Sequence, residues 1–321
     1  MFELTFLGTS ASVPLPRRGL SSLVVSHENY RFMVDCGEGT QRQVLSSGLG
    51  FRRLTHFLIT HPHLDHFLGL AGMISTLAQL ETHEKLMIYG GKAVLDKIED
   101  LLYGVVFRGV TPPMKIDLLD IKPGIIFKCE DFEIVTFPVR HRGPDCFGFV
   151  FQEQSRRHFL NDRATELGVP NGPQRRDLVR GLPITLADGR IVTPDDVMGE
   201  VLRGVKLVIT GDMGETENAL KMSQFADAIV TEATYCHEDA DLARHHGHIT
   251  AREAATLARS ANARHLFLTH ISGRQPERKI ADEAKSIFSN SQVVRDFDSF
   301  RITRDGVKGF KLKPSDSENV V

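Results

Sequence analysis

The chain has 321 residues, 41% of them apolar and 25% charged, a composition that supports a substantial buried core and argues against a disordered chain. Its formal net charge of −2 gives no strong whole-molecule attraction to polyanions, so any nucleic-acid site has to be a local basic patch. Cys36, Cys129, Cys146 and Cys236 lie far apart with no Cys-x-x-Cys pair, which argues against a disulfide framework or a thiolate zinc site and suits a reducing compartment.

In chain order, short β-branched apolar runs at 4–7, 22–25, 32–34, 57–60, 86–89, 132–137 and 147–151 predict strands. Helical patterns at 65–80, 91–103, 251–260 and 278–288 lie between and after them, so the predicted class is α/β with mixed sheets. Residues 152–200 break this rhythm with Arg156-Arg157, Arg175-Arg176, a Gly/Pro-rich stretch and few core-like runs, and read as an insertion projecting from the domain or as a solvated loop region. Residues 313–321 read as a frayed tail. The amino terminus lacks a basic flank with a long apolar run, and no stretch approaches the ~20 apolar residues of a membrane span. A cytoplasmic enzyme without membrane attachment is therefore expected.

Three predicted strands end alike. His56-Phe-Leu-Ile-Thr60 runs into His61, Lys206-Leu-Val-Ile-Thr210 into Gly211-Asp212, and His265-Leu-Phe-Leu-Thr269 into His270. Ligands of open α/β sheets collect beyond strand carboxyl ends, so His61, Asp212 and His270 can meet there. The segment His61-Pro62-His63-Leu64-Asp65-His66 packs three imidazoles and a carboxylate into six residues, and an unliganded cluster of that kind would repel itself on protonation. Neutral imidazole and carboxylate suit zinc, and two metals sharing a bridging carboxylate need about six or seven side chains. His141, after the strand at 132–137, adds a candidate. Taken alone, Asp212 reads equally as a cap or turn residue, and His141 and His270 as ordinary core or surface histidines; their shared position after strands makes them ligand candidates. His27, His56, His83, His158, His237 and His265 read as ordinary polar residues. His245-His246-Gly-His248 is a second dense cluster, readable as a metal site, a phosphate contact or nothing. No Gly-x-x-x-x-Gly-Lys-Ser/Thr loop or Gly-x-Ser-x-Gly elbow is present, which argues against nucleotide-triphosphate motors and serine hydrolases.

The His-x-His-x-Asp-His signature with Gly211-Asp212 and His270 resembles the metallo-β-lactamase superfamily. Finer blocks resemble its ribonuclease Z family: Phe6-Leu-Gly-Thr-Ser10 through Pro14 and Ser21-Ser22, then Asp35-Cys-Gly-Glu-Gly-Thr-Gln41, then Thr269-His-Ile-Ser-Gly-Arg274. The resemblance covers residues 1 to about 305. It implies a single-domain αβ/βα four-layer sandwich of two mixed sheets, a tRNA-binding arm at 152–200 and a homodimer. It further implies two zinc ions, one on His61, His63 and His141, the other on Asp65, His66 and His270, with Asp212 bridging. Asp65, Glu232 and His248 match catalytic positions, and the implied reaction removes the 3′ trailer from precursor tRNA. Leu64 and Met213 depart from residues usual in the family without removing a ligand. Two other readings stand beside this one: the same centre acting on another phosphodiester, a thioester or a lactam, and a zinc-stabilised RNA-binding module without activity. Arg156, Arg157, Arg175, Arg176 and Arg180 are the arm's candidate phosphate contacts.

Overall fold

The computed structural model describes residues 1–81 and 83–312; the expected tail at 313–321 lies outside the described residues. The chain divides into two compact units, Met1–Gln152 with Val205–Val321, and Glu153–Gly204.

The larger unit is built on two mixed sheets. The first runs in the spatial order Gly306–Phe310, Ser299–Thr303, Phe2–Gly8, Ser22–His27, Tyr30–Val34, Leu54–Leu58, Lys85–Gly90, Lys115–Asp120. Its pairing is antiparallel as far as Tyr30–Val34 and parallel beyond it. The second runs Ser291–Val293, Leu266–Thr269, Ala228–Glu232, Lys206–Ile209, Phe147–Glu153, Phe132–Pro138, Gly124–Lys128, with its first four strands parallel.

Both faces of each sheet are covered, which is why the strands read as nearly continuous apolar runs. Successive residues point to opposite faces. Phe2, Leu4, Phe6, Phe32 and Val34 meet Phe149, Phe151, Leu207, Val230 and Phe267 in one core between the sheets. The intervening Leu7, Val24, Met33 and Phe57 face outward into a cluster with Met73, Ile74, Leu77 and Ile98, which come from helices Leu70–Leu80 and Lys92–Leu101. On the other outer face, Val150, Val208, Ile229 and Leu268 pack under helices Ala251–Ser260 and Glu277–Lys285. Four layers, αβ/βα, follow from this single alternation.

The sequence predicts one helix at 65–80, whereas the structure has two, Leu64–Phe67 and Leu70–Leu80. The cause is a competing set of hydrogen bonds. Cys36 N–H takes the His66 carbonyl at 2.7 Å, and Gly69 N–H gives its bond to the Cys36 carbonyl at 2.9 Å. Gly69 has to be glycine for this, because a Cβ there would lie 2.0 Å from the Gly37 carbonyl oxygen. The strand Ala228–Glu232 is buried throughout yet unanticipated, since its apolar run is only Ala-Ile-Val before Thr231 and Glu232.

The smaller unit is not a bare loop. Arg156–Phe159 pairs antiparallel with Met198–Leu202 and Ile184–Thr185 with Ile191–Val192, and three short helices accompany them. Ala164, Val169, Leu178, Ile184, Leu186, Val192 and Val197 form a core of its own. Those apolar residues are spread singly along the segment, which hides the core from a search for runs. Among the described residues no helix is long and apolar enough to cross a membrane.

Phe149 is fully buried in the central core. Phe149→Ala is expected to lower unfolding free energy by about 3–5 kcal/mol, read as a lower urea midpoint at unchanged slope; a loss below ~1 kcal/mol would mean that the layers close over the cavity.

Candidate metal centre

Strand carboxyl ends place the polar groups. Asp35 follows Tyr30–Val34, His61 comes shortly after Leu54–Leu58, His141 after Phe132–Pro138, and Asp212 after Lys206–Ile209. Glu232 ends its strand, and His270 follows Leu266–Thr269. Asp35 and His270 hold φ of 59° and 54°, left-handed values that non-glycine residues adopt at a cost and that concentrate at functional sites. His248 arrives differently, two residues before Thr250, whose capping box with Glu253 starts helix Ala251–Ser260.

Two trios of ligand-type atoms result. In the first, His63 Nδ1 lies 3.0 Å from His61 Nε2 and 3.2 Å from His141 Nε2. In the second, Asp65 Oδ2 lies 3.6 Å from His66 Nε2 and 3.4 Å from His270 Nε2. Asp212 Oδ2 sits between them, 3.3 Å from both His66 and His270, 3.8 Å from His61 and 4.0 Å from His141. Atoms bound to one zinc at ~2.0–2.1 Å in a tetrahedron stand about 3.3 Å apart. The observed spacings fit a cation within each trio.

The outer hydrogen bonds point the same way. His141 Nδ1 donates to the Gly247 carbonyl at 2.6 Å, and His66 Nδ1 donates to Asp35 at 2.7 Å. The Thr60 hydroxyl donates to Asp35, which leaves its oxygen to accept from His61 Nδ1 at 2.9 Å. The Thr234 hydroxyl donates to Glu232 at 2.6 Å and accepts from His270 Nδ1 at 3.0 Å. Each bond puts the ring proton on Nδ1 and turns the Nε2 lone pair inward, the arrangement in which outer partners fix metal-binding imidazoles. His66 Nε2 is buried with no hydrogen-bond partner; an orphaned acceptor of this kind is what a cation would satisfy.

Charge tells the same story. Burial pushes His61 well below its ordinary pKa with His66 adding to it, and burial with His141 pushes His63 down to about 4, so both are neutral ligands at pH 7. Burial opposes charge on Asp212, yet His270 and His66 hold its carboxyl well below the usual carboxylate range. Burial likewise opposes a charged His66, but Asp212, Asp35 and Asp65 raise it well above its ordinary value. Beside the trios, His248 Nδ1 is 3.0 Å from Glu232. Burial disfavours its charge, but Glu232 outweighs this and pushes it up to about 9.

His61, His63, Asp65, His66, His141, Asp212, Glu232, His248 and His270 thus come together in clusters that could hold metal ions. None of His27, His56, His83, His158, His237 or His265 joins those clusters. Asp35, Thr60 and Thr234, to which pattern reading assigns no role, complete the centre. Ser12, at φ 57°, donates its backbone N–H to Asp65 Oδ2 at 3.0 Å, a contact with no sequence signal beyond its Phe6–Pro14 block.

The chain is similar over most of its length to known proteins. Residues 170–271 match the family model described as "Beta-lactamase superfamily domain", and residues 2–166 the one described as "Anti-Pycsar protein Apyc1". The chain is 47% identical to ribonuclease Z of Bradyrhizobium diazoefficiens over 93% of its own length and 99% of the relative's. It is 36% identical to ribonuclease Z of Archaeoglobus fulgidus over 95% and 99% of the two chains. Among solved structures, human tRNase Z, short form, superposes with a TM-score of 0.67 at 26% identity, covering 94% of this chain and 99% of that one. YhfI of Bacillus subtilis, at 18% identity and a TM-score of 0.66, shares the fold. Near-complete coverage by relatives at this identity places the chain in the ribonuclease Z family, on the metallo-β-lactamase fold.

Proposed function

We propose that this protein is a zinc-dependent endoribonuclease that removes the 3′ trailer from precursor tRNA, leaving a 3′-hydroxyl on the tRNA and a 5′-phosphate on the trailer. The observation that carries the reading is the pair of ligand trios sharing Asp212, with a charged, carboxylate-backed imidazole beside them. His61, His63 and His141 would hold one ion, Asp65, His66 and His270 the other, and Asp212 would bridge. Two zinc ions there would supply Lewis acidity at the phosphate and a water acidified toward a pKa of about 7.

The chain's own groups do the rest. Asp65, fixed through Oδ2 by the Ser12 N–H, orients the attacking water and accepts its proton. As the water oxygen bonds to phosphorus, the bond to the ribose 3′-oxygen breaks, and His248 gives that oxygen its proton. Glu232 holds His248 in the charged form needed to donate, and its own position is fixed by the Met213 N–H at 2.7 Å and the Thr234 hydroxyl. Within the smaller unit, Arg157 is tied to Asp195 and to the Gly199 and Met198 carbonyls, and Arg175 to Asn161, Thr165 and the Val169 carbonyl. The exposed Arg176 and Arg180 are therefore the arm's better phosphate contacts. A cytoplasmic homodimer belongs to the same reading and rests on the family resemblance.

A precursor tRNA with a 3′ trailer should be cut once, beside the discriminator nucleotide, and a chelator should abolish the cut. No cut, together with hydrolysis of a small phosphodiester, would move the centre to another substrate. His248→Ala should lower kcat by about 10²–10⁴ with metal content held; unchanged turnover would remove the acid role. Asp35→Asn should weaken metal affinity about 10–100-fold in a competition titration against a chromophoric chelator, because His66 loses its anchor; undiminished affinity would make Asp35 a purely structural residue.

A further inference from the structure

The proposed reaction leaves His245 and the chain around His141 without a role, and these residues line a cleft of about 860 Å³ that opens beside His141 and Gly247. Its wall carries Lys122, Arg140, Arg142, Arg244 and His245 against the acids Asp145 and Glu215. Most of the cations have an exposed partner. Arg140 lies 3.1 Å from Glu215, Lys122 lies 3.1 Å from Asp120, and Arg244 pairs with Asp241. Exposed pairs of this kind are worth little, so the cations remain open to a phosphate.

Arg142 differs from them. It is exposed and has no ion-pair partner among the described residues. A Cβ on Gly247 would lie 3.0 Å from Arg142 Cγ and 3.3 Å from His141 Nδ1, so the Arg142 stem lies against the turn that leads into His248. The cleft therefore joins the reaction centre at one end and presents an unneutralised guanidinium there.

We propose that this cleft receives the single-stranded RNA on the trailer side of the scissile bond, with Arg142 as the positioning residue that pairs with a trailer phosphate. The proposal rests on the tRNA-processing reading above. On that reading the RNA on the other side of the cut is folded, whereas the trailer is a single strand whose backbone phosphates can follow a basic cleft. Phe147, the one Phe, Tyr or Trp in the lining, is buried. Recognition is accordingly chiefly by backbone charge, which tolerates any trailer sequence.

The test compares kcat/KM on precursors with a single-nucleotide trailer and with a trailer of about six nucleotides, a length within the usual single-strand site sizes. Wild type, Arg142→Ala, Arg142→Lys and Lys122→Glu are measured at two salt concentrations. For Arg142→Ala the ratio of long to short trailer should fall about tenfold, with the salt slope on the long trailer shallower by about one. Arg142→Lys should recover part of the ratio, and Lys122→Glu, on the same wall but not against the His248 turn, should lower it as well. Equal loss on both trailers, with Lys122→Glu leaving the ratio unmoved, overturns the proposal. If wild type cuts neither precursor but hydrolyses bis(p-nitrophenyl) phosphate, the tRNA reading fails first, and the two failures are thereby distinguished.

Discussion

The Asp35 carboxylate receives the Thr60 backbone N–H at 2.8 Å, the Thr60 hydroxyl at 2.9 Å and the His66 ring at 2.7 Å, and through these bonds it sets the direction of two imidazoles. His66 is held directly; His61 is held through the Thr60 oxygen. Asp35 can sit there because its backbone adopts φ 59° and because Cys36 enters the hydrogen-bond ladder of the neighbouring helix at His66 and Gly69. That insertion is what splits the helix. The break and the ligand geometry are therefore one event: a continuous helix over 65–80 would remove the bonds that dock Asp35 beside His66.

This arrangement has an electrostatic cost. Asp212 and His66 are both buried, and Asp65 is largely so. Buried carboxylates are tolerated when paired, and the available partners are imidazoles that burial drives toward neutrality. Asp212, Asp35 and Asp65 together raise the His66 pKa well above its ordinary value, against the opposing effect of its burial. Divalent cations held by the two trios would relieve the same imbalance while leaving the imidazoles neutral. Metal binding there would couple to folding stability, since a site assembled from distant strands does not exist in the unfolded chain.

The two sheets and their alternation were legible because a strand covered on both faces must be apolar along its length, and such runs stand out. The strand-end logic that joined His61, Asp212 and His270 drew on the same runs. Glu232 was harder to reach from pattern, because its strand is short and ends in the charge that matters. Asp35 carries no signal beyond its family block, and Thr60 and Thr234 carry none; their roles depend on which polar group faces which ring, and that is a consequence of packing. The smaller unit occupies nearly the span read from sequence as an insertion, but its core is not legible there. Its core residues are isolated apolar positions separated by charged ones, and only pairing of Arg156–Phe159 with Met198–Leu202 brings the ends of the segment together.

A chain with net charge −2 has to recruit a polyanion through local fields. The distribution of its arginines follows from that need. Arg157 and Arg175 are consumed in holding the smaller unit together, and Arg18 is buried against Thr9, the Val294 carbonyl and Glu277, so none of these is available to a phosphate. Arg142 is available, and it stands at the edge of the centre. Its single charge would add little to long-range attraction, which salt screens within about 10 Å. At contact it acts on one phosphate near the reacting bond, where positioning counts for more than affinity. The overall acidity then becomes an advantage, because RNA that reaches the surface without engaging these few cations meets no field that holds it.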